Sequence, residues 1–210
     1  MHYIAVDFEW NQAGYNRKSS VQLDGEIIQI GAVKMDEDFK VLEYFAADIK
    51  PVFYRKIHKK VKELTGIDQK QLNNGKDFSS IVEKFKTWCG DEHIFLTWGP
   101  DDIPMLKDNF RIHGLDTAWL DATYDLQPIF NRQTDGQTSK QRSLEYAMEY
   151  FELPQNLPAH DALNDAYFTA LVAKKLDVPE GVKNYSSTHG DCLDEVVIGD
   201  ADAGADGYVT

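Results

Sequence analysis

Runs of apolar and alternating residues predict three strands within the first fifty residues. They cover residues 3–9, 26–35 and 40–49, and Ile, Val and aromatic side chains dominate the first two. An antiparallel meander is the simplest pairing for three consecutive strands. The polar segment 11–24, which contains Gly14, predicts an exposed loop beside the end of the first strand.

After residue 50 the pattern changes to helical spacing, interrupted by two short apolar runs. Ser80 and Glu83 resemble a capping box, and Gly66, Gly90 and Pro179 follow helical segments as stop signals. The predicted helices are 55–64, 80–88, 100–110, 143–151 and 161–176, and the predicted strands are 93–98 and 118–122. Three strands followed by alternating elements imply an α/β fold in which helices flank a mixed sheet.

The length of 210 residues and a hydrophobic fraction of 42% favour one folded domain, which we place at residues 1–186. Residues 187–210 carry six acidic side chains and no Lys or Arg, which predicts a flexible acidic tail. Residues 196–198 could instead add an edge strand. The tail explains part of the net charge of −13 and leaves the remainder of the chain at −7.

This acidity argues against a broad basic surface that grips nucleic acid. A carboxylate cluster that holds divalent cations would reverse the local sign and let an acidic site receive a phosphate. No apolar run approaches the roughly 20 residues that cross a bilayer, and residues 1–10 lack a secretory pattern, so we expect a cytoplasmic protein without membrane contact. Cys89 and Cys192 lie outside any C-x-x-C motif, and we expect no disulfide or zinc cluster.

Asp7 and Glu9, at the end of the first predicted strand, are the sharpest chemical feature. Residues two apart in a strand point to the same face, so the two carboxylates lie side by side. Their charges repel, and a buried pair is retained chiefly when a cation lies between them or one stays protonated. A pair of acids on a solvated strand face is the ordinary alternative.

Two further motifs lie at predicted helix starts. Asp165 lies about one turn after His160, so both side chains can face the sheet end that carries the first motif. Asp101 and Asp102 follow Thr-Trp-Gly-Pro, where a strand turns into a helix, a common place for sites in α/β sheets. Helix capping by His160 and Asp161 is the ordinary alternative for one motif. Helix-start acids are the alternative for the other, and spacing alone does not rank its two aspartates.

Together the motifs resemble the DEDD exonucleases of the ribonuclease H-like fold, in the subgroup whose last motif is His, four residues, Asp. Asp7 and Glu9 match the first motif, Asp102 the second, and His160 with Asp165 the third. Other similar segments are 26–33, the turn 64–67 and the Thr-Trp-Gly lead-in at 97–99. They are nearest to the branch containing histone-mRNA 3′-end exonucleases and bacterial sporulation-inhibitor homologues. The resemblance spans residues 3–178 and implies a mixed five-stranded sheet, with a three-strand antiparallel meander plus parallel strands.

The resemblance also implies an activity, which is metal-dependent release of nucleoside 5′-monophosphates from a 3′ end. Oxygen ligands such as these suit Mg²⁺ or Mn²⁺. In the implied arrangement Asp7, Glu9 and Asp165 hold one ion, and Asp7 with Asp102 holds a second ion about 4 Å away. His160 is the implied general base.

The implied substrate is the 3′ end of single-stranded RNA, with DNA as the alternative because no motif reports the sugar. Phe8 and Trp10 are candidates to stack on terminal bases, and core packing is the alternative for both. One dense basic run could steer a phosphate backbone or form a solvated helix face. It comprises Arg55, Lys56, His58, Lys59, Lys60 and Lys62. Asp161 departs from the family pattern and adds negative charge beside the third motif.

Other classes of function stay open from the sequence. A regulatory or scaffolding protein could keep this fold and bind a partner through its acidic surface, although a pure binder needs no complete set of five site residues. A proofreading unit of a replicative polymerase is a weaker alternative, because the tail lacks an apolar helix that could dock there. The glycines form no phosphate-cradling motif, so a nucleotide-driven motor or kinase is not supported.

Overall fold

The computed structural model describes residues 1–13, 23–136 and 140–176. Its strands are β1 (His2–Asn11), β2 (Glu26–Met35), β3 (Val41–Asp48), β4 (His93–Thr97) and β5 (Thr123–Asp125). They form one sheet in the order β3-β2-β1-β4-β5. The β1–β2 and β2–β3 pairs are antiparallel, whereas the β1–β4 and β4–β5 pairs are parallel. This mixed sheet confirms the predicted fold class, including the antiparallel meander and the parallel strands.

Helices cover both faces of the sheet. They are α1 (Lys59–Thr65), α2 (Gln69–Asn74), α3 (Phe78–Cys89), α4 (Asp102–Ile112), α5 (Gln127–Asp135), α6 (Leu144–Tyr150) and α7 (Ala162–Ala173). β1 is the central strand, and its alternate side chains enter two different cores. Tyr3 and Ala5 pack in the core under α5, α6 and α7, whereas Ile4 and Val6 pack in the core under α3 and α4. Burial on both faces explains why β1 begins with a continuous apolar run.

The predicted strand at 118–122 is wrong. Residues Ala118–Leu120 form a short 3-10 helix, and β5 begins only at Thr123. The Asp116 carboxylate accepts a hydrogen bond from the Ala118 N–H at 3.1 Å, which favours a turn. Leu120 is fully buried and Trp119 packs against the same core, so the apolar residues of this segment contact the core from a turn.

Several helix boundaries differ from their predictions because capping side chains lie elsewhere. The proposed capping box at Ser80 is wrong, since Asp77 caps α3 by accepting from the Ser80 N–H at 2.8 Å. α1 begins at Lys59 rather than residue 55, and His58 is its N-cap. Helices α2 and α5 have no counterpart among the sequence predictions.

Some sequence predictions fall on residues outside the described ranges. They are the tail at 187–210, the alternative edge strand at 196–198, the stop signal at Pro179 and most of the loop at 11–24. In the part of the chain that the structure describes, no helix has the length and apolar character needed to cross a membrane.

Candidate active site

An open cavity of about 460 Å³ lies at the end of β1, beside the N-terminal ends of α4 and α7. Its walls come from β1, α1, the β4–α4 turn, α4, α7 and the turn before α7. The lining residues are Asp7, Phe8, Glu9, Trp10, Gln12, Lys60, Val61, Leu64, Thr65, Trp98, Asp101, Asp102, His160 and Asp165. The three sequence motifs therefore meet in one cavity.

The first turn of α7 approaches β2 very closely at Gly31, the residue that pairs with Asp7. A Cβ atom on Gly31 would lie 2.0 Å from the backbone carbon of Ala162. Gln29, the partner of Glu9 in the same register, accepts a hydrogen bond from the Ala162 N–H at 3.0 Å. The absence of a side chain at Gly31 thus brings the start of α7 beside the two carboxylates of β1.

The turn before α7 presents His160 to the cavity, and the first turn of α7 presents Asp165. His160 has a left-handed backbone with φ of 60°, and its N–H donates to Oδ2 of Asp165 at 2.9 Å. Asp161 caps α7 by accepting from the Asn164 N–H at 3.1 Å. Ligand atoms of Glu9, His160 and Asp165 lie within 4.8 Å of one another, which is close enough to share a cation.

The structure separates the two aspartates that the sequence could not rank. Asp102 is 7% exposed, whereas Asp101 is exposed and makes no side-chain capping hydrogen bond. The turn that leads to Asp102 is held by Asp125, whose Oδ1 accepts from the Gly99 N–H at 2.8 Å and from the Gln127 N–H at 2.9 Å. Asp102 is therefore the buried carboxylate of this motif.

Burial and neighbouring negative charges oppose ionisation of the four buried or half-buried carboxylates. Burial, followed by the charges of Asp102, Asp165 and Glu9, holds the pKa of Asp7 well above its usual range. Burial and then the charge of Asp165 raise the pKa of Glu9 to about 8. Burial raises the pKa of Asp102 to about 8, although a backbone hydrogen bond with Phe8 opposes the change, and burial also raises the pKa of Asp165. Such a cluster favours cation binding.

Helix α1 forms another wall of the cavity, and Asn11 fixes its position. The fully buried Asn11 side chain donates to the Tyr54 carbonyl at 2.6 Å and the Lys56 carbonyl at 3.0 Å, and it accepts from the His58 N–H at 2.9 Å. His58 in turn caps α1, which places Lys60 on the cavity. Among the described residues that line the cavity, Lys60 is the one Lys or Arg.

The family model described as exonuclease (RNase T) matches residues 5–173 of the chain. The chain belongs to the exonuclease family. Membership confirms the family resemblance of the three motifs, and the match extends from Ala5 within β1 to the end of α7.

Relatives of this exonuclease domain occur in distant organisms. The chain is 30% identical over 107 residues to the probable 3′-5′ exonuclease KapD of Bacillus subtilis strain 168, covering 50% of this chain and 51% of KapD. It is 25% identical over 196 residues to the 3′-5′ exonuclease crn-4 of Caenorhabditis elegans, covering 82% of this chain and 62% of crn-4. The matched regions are thus less than two thirds of either relative.

The fold of the exonuclease domain is also similar to that of a solved nuclease domain, that of 3′hExo, a DEDDh family member, bound to rAMP. The TM-score is 0.72 at 18% identity, over 83% of this chain and 90% of that one. This likeness supports the ribonuclease H-like architecture of the sheet.

All five predicted site residues of the exonuclease motifs line the cavity. The ring of Phe8 does not face it, because Phe8 is 2% exposed and packs in the core under α3 and α4. Trp10 is partly exposed and borders the cavity. The interpretation of Phe8 as a stacking residue is therefore not supported by its position, and the alternative of core packing describes its ring.

Sequence reasoning gave no role to three residues that build the site. Gly31 admits α7, Trp98 forms part of the cavity wall, and Asp125 holds the turn before Asp102. A glycine inside an otherwise apolar strand signals a close backbone approach, so Gly31 could have been found. Asp125 is the last residue of a three-residue strand that the sequence pattern did not place, so its role had no readable signal.

Proposed function

We propose that this chain is a 3′-5′ exonuclease that removes nucleotides one at a time from single-stranded nucleic acid and releases nucleoside 5′-monophosphates. The observation that carries the proposal is the convergence of four carboxylates and one imidazole in a single open cavity, with the pKa of every one of the four carboxyl groups raised. The names of KapD and crn-4 support the same activity and direction.

The donor set fits hard divalent cations. Asp7, Glu9, Asp102 and Asp165 offer only carboxylate oxygens, which suits Mg²⁺ or Mn²⁺ rather than zinc. These residues would hold two ions, which when bound supply an activated water and neutralise charge on the phosphate. Bound cations would offset the repulsion between the carboxylates. The arrangement therefore favours the metal-bound site and destabilises the metal-free one.

His160 takes the role of general base in this proposal. Its left-handed backbone and the hydrogen bond from its N–H to Asp165 fix the turn from which the imidazole enters the cavity. A neutral imidazole accepts the proton of the attacking water near neutral pH. His160 is exposed, so the proton it accepts can pass to solvent.

Selection of the 3′ end comes from the cavity wall at the end of β1. The backbone of Phe8 and Glu9 borders the cavity and would contact the terminal 3′-OH, while Trp10 would stack on the terminal base. We favour RNA over DNA as the substrate, in keeping with the rAMP bound to the nuclease domain of similar fold. The sugar preference rests on the 2′-OH, which distinguishes the two substrates at a given site.

A panel of 5′-labelled RNA and DNA oligonucleotides tests the activity and the sugar preference together. With Mg²⁺ or Mn²⁺ we expect a ladder of products shortened by single nucleotides, and RNA shortened faster than DNA. Asp7→Asn should lose activity about a thousandfold or more, since metal-dependent stabilisation is worth several kcal/mol. Asp24→Asn, at an exposed position away from the cavity, is the matched control and should retain activity.

Calorimetric titration of Mn²⁺ into the wild type and Asp165→Asn tests the metal site independently of turnover. We expect weaker binding or a lost site in the variant. Equal isotherms would remove Asp165 from the ligand set. Cleavage only at interior bonds, or equal activity of wild type and Asp7→Asn, would refute the exonuclease proposal and favour a regulatory module that binds a protein partner.

A further inference from the structure

A row of side chains on α6 and just before its N-terminus lies beside the cavity wall. It consists of Arg142, Tyr146 and Tyr150, which we call the α6 row. Tyr146 is 38% exposed and Tyr150 is 51% exposed. The two tyrosines are four residues apart on one helix, so they lie on the same face about 6 Å apart along the axis. Two exposed aromatic side chains thus lie on one face of α6.

The tyrosine rings are held in place by packing beneath them. Both rings meet the buried Phe130 edge to face, Tyr146 at 6.1 Å and 86° and Tyr150 at 5.5 Å and 87° between ring centroids and planes. Tyr150 also meets Phe151 at 5.2 Å and 87°. Rings held in this way lose little conformational freedom when a ligand stacks on them.

Arg142 connects the tyrosines to the cavity. Its carbonyl accepts a hydrogen bond from the Trp98 indole N–H at 2.9 Å and from the Gln127 side chain at 2.6 Å. Trp98 itself lines the cavity. The guanidinium carbon of Arg142 lies 4.5 Å from the ring centroid of Tyr146. The row therefore begins directly behind one wall of the cavity and leads away from it.

The charges around the row favour stacking over long-range attraction. Arg142 and the exposed Lys140 supply positive charge at one end, while Glu145 and Glu149 are exposed on the adjacent stripe of α6. A surface of nearly balanced charge holds a polyanion weakly, unless aromatic rings contact the bases. Arg142 can then locate a phosphate between two stacked bases.

We infer that the α6 row binds bases of the single strand upstream of the scissile bond, an inference that rests on the exonuclease function proposed above. The partner is a single strand because the bases of a duplex are paired and cannot stack on protein side chains. Stacking tolerates any base, so the row increases affinity for longer strands without selecting a sequence.

The test compares a trinucleotide with a strand of about twelve nucleotides, long enough to leave the cavity. In Tyr146→Ala/Tyr150→Ala we expect KM for the longer strand to rise about tenfold or more, because each stacked base contributes substantially to affinity. KM for the trinucleotide and kcat for both should be unchanged. The Tyr146→Phe/Tyr150→Phe variant keeps both rings and should behave as the wild type. Tyr44→Ala, on β3 with 55% exposure, is the matched control and should have no effect.

Fluorescence anisotropy of the labelled longer strand, with a chelator to prevent hydrolysis, gives a second readout. Arg142→Ala should weaken binding and reduce its salt dependence, since one phosphate contact is lost. An unchanged KM and unchanged anisotropy in the double alanine variant would overturn the inference. So would an equal rise in KM for the trinucleotide, an equal effect of Tyr44→Ala, or self-association that the variant abolishes without weakening strand binding. A wild type that binds the strand through the row but hydrolyses neither substrate would refute the exonuclease function alone.

Discussion

The backbone N–H of His160 donates to Oδ2 of Asp165 at 2.9 Å, and His160 adopts a left-handed φ of 60° to do so. The hydrogen bond engages one carboxylate oxygen of Asp165 and orients its side chain. The bond joins the proposed base and a proposed metal ligand in one rigid turn. A substitution that tests the role of the His160 imidazole must therefore preserve the left-handed backbone at this position.

His160→Asn meets that condition, because Asn tolerates the left-handed region better than most residues. We expect kcat to fall about 10²–10⁴-fold, the usual contribution of a general base. Single-turnover hydrolysis measures the loss, and Mn²⁺ titration should show unchanged affinity. Since the imidazole also lies within 4.8 Å of the ligand atoms of Glu9 and Asp165, a marked loss of Mn²⁺ affinity would instead make His160 a ligand.

The carboxylate cluster predicts an unusual pH dependence of stability. Burial and the charge of Asp165 raise the pKa of Glu9 from 4.5 to about 8, and burial raises the pKa of Asp102 from 3.8 to about 8. The folded state binds these protons more tightly than the unfolded chain does. The resulting stability is fully present below about pH 4 and is lost as the pH rises toward 8.

In chelator-treated protein we therefore expect Tm to fall between about pH 5 and pH 8, and to fall less steeply in Glu9→Gln. Saturating Mg²⁺ or Mn²⁺ should remove most of the difference between the two proteins' slopes, because bound cations replace the protons. Parallel Tm profiles for the metal-free wild type and variant would show that the raised pKa of Glu9 has no part in the stability.

Gly31→Ala should damage the fold and the site together. Its Cβ would lie 2.0 Å from the backbone carbon of Ala162, and backbone atoms cannot move aside as a flexible side chain can. We expect a loss of about 1–3 kcal/mol or more in the free energy of unfolding and a fall in kcat as α7 shifts. Urea unfolding and turnover measure the two effects.

Gly90→Ala separates a general loss of stability from displacement of α7. Gly90 has φ of 79°, and nothing lies within 4 Å of the position of its Cβ. This change should cost about 1–3 kcal/mol through backbone strain alone and leave kcat unchanged. If Gly31→Ala keeps full kcat, close packing of α7 on β2 is not needed for the site.

Asp125 is expected to position Asp102 without touching substrate. Asp125→Ala removes the acceptor of the Gly99 and Gln127 N–H groups. The loss of such supporting hydrogen bonds typically lowers metal affinity or activity about 10–100-fold. The measurement is the Mn²⁺ concentration that gives half-maximal activity. Asp125→Asn keeps an acceptor oxygen, so its half-maximal Mn²⁺ concentration should be close to that of the wild type. An equal defect in both variants would show that the charge of Asp125, not its hydrogen bonds, matters.

Most of the sheet and the carboxylates that line the cavity could be predicted because their signals are local. The apolar pattern predicted both end residues of β2. The three motifs identified five of the side chains that line the cavity. The 3-10 turn at Ala118–Leu120 could not be predicted in the same way. A five-residue segment with four apolar residues suits a buried strand or a buried turn equally well, and only the three-dimensional packing of Trp119 decides.

The orientation of Phe8 shows a second limit. Alternation along β1 places Asp7 and Glu9 on one face and Phe8 on the other, yet the sequence does not say which face of a central strand meets an open cavity and which meets a core. The positions of Gly31 and Asn11 depend on contacts with residues more than forty positions away. Such contacts leave little trace in the pattern of any single segment.

The central position of β1 bears on how the molecule is made. The first carboxylates of the site are synthesised at residues 7 and 9, but the last one reaches them only when α7 settles on Gly31. A nascent chain that ends before α7 contains Asp7, Glu9 and Asp102 but lacks Asp165, the last of the four carboxylates. If the proposed exonuclease function holds, activity therefore requires the polypeptide to be synthesised and folded through α7.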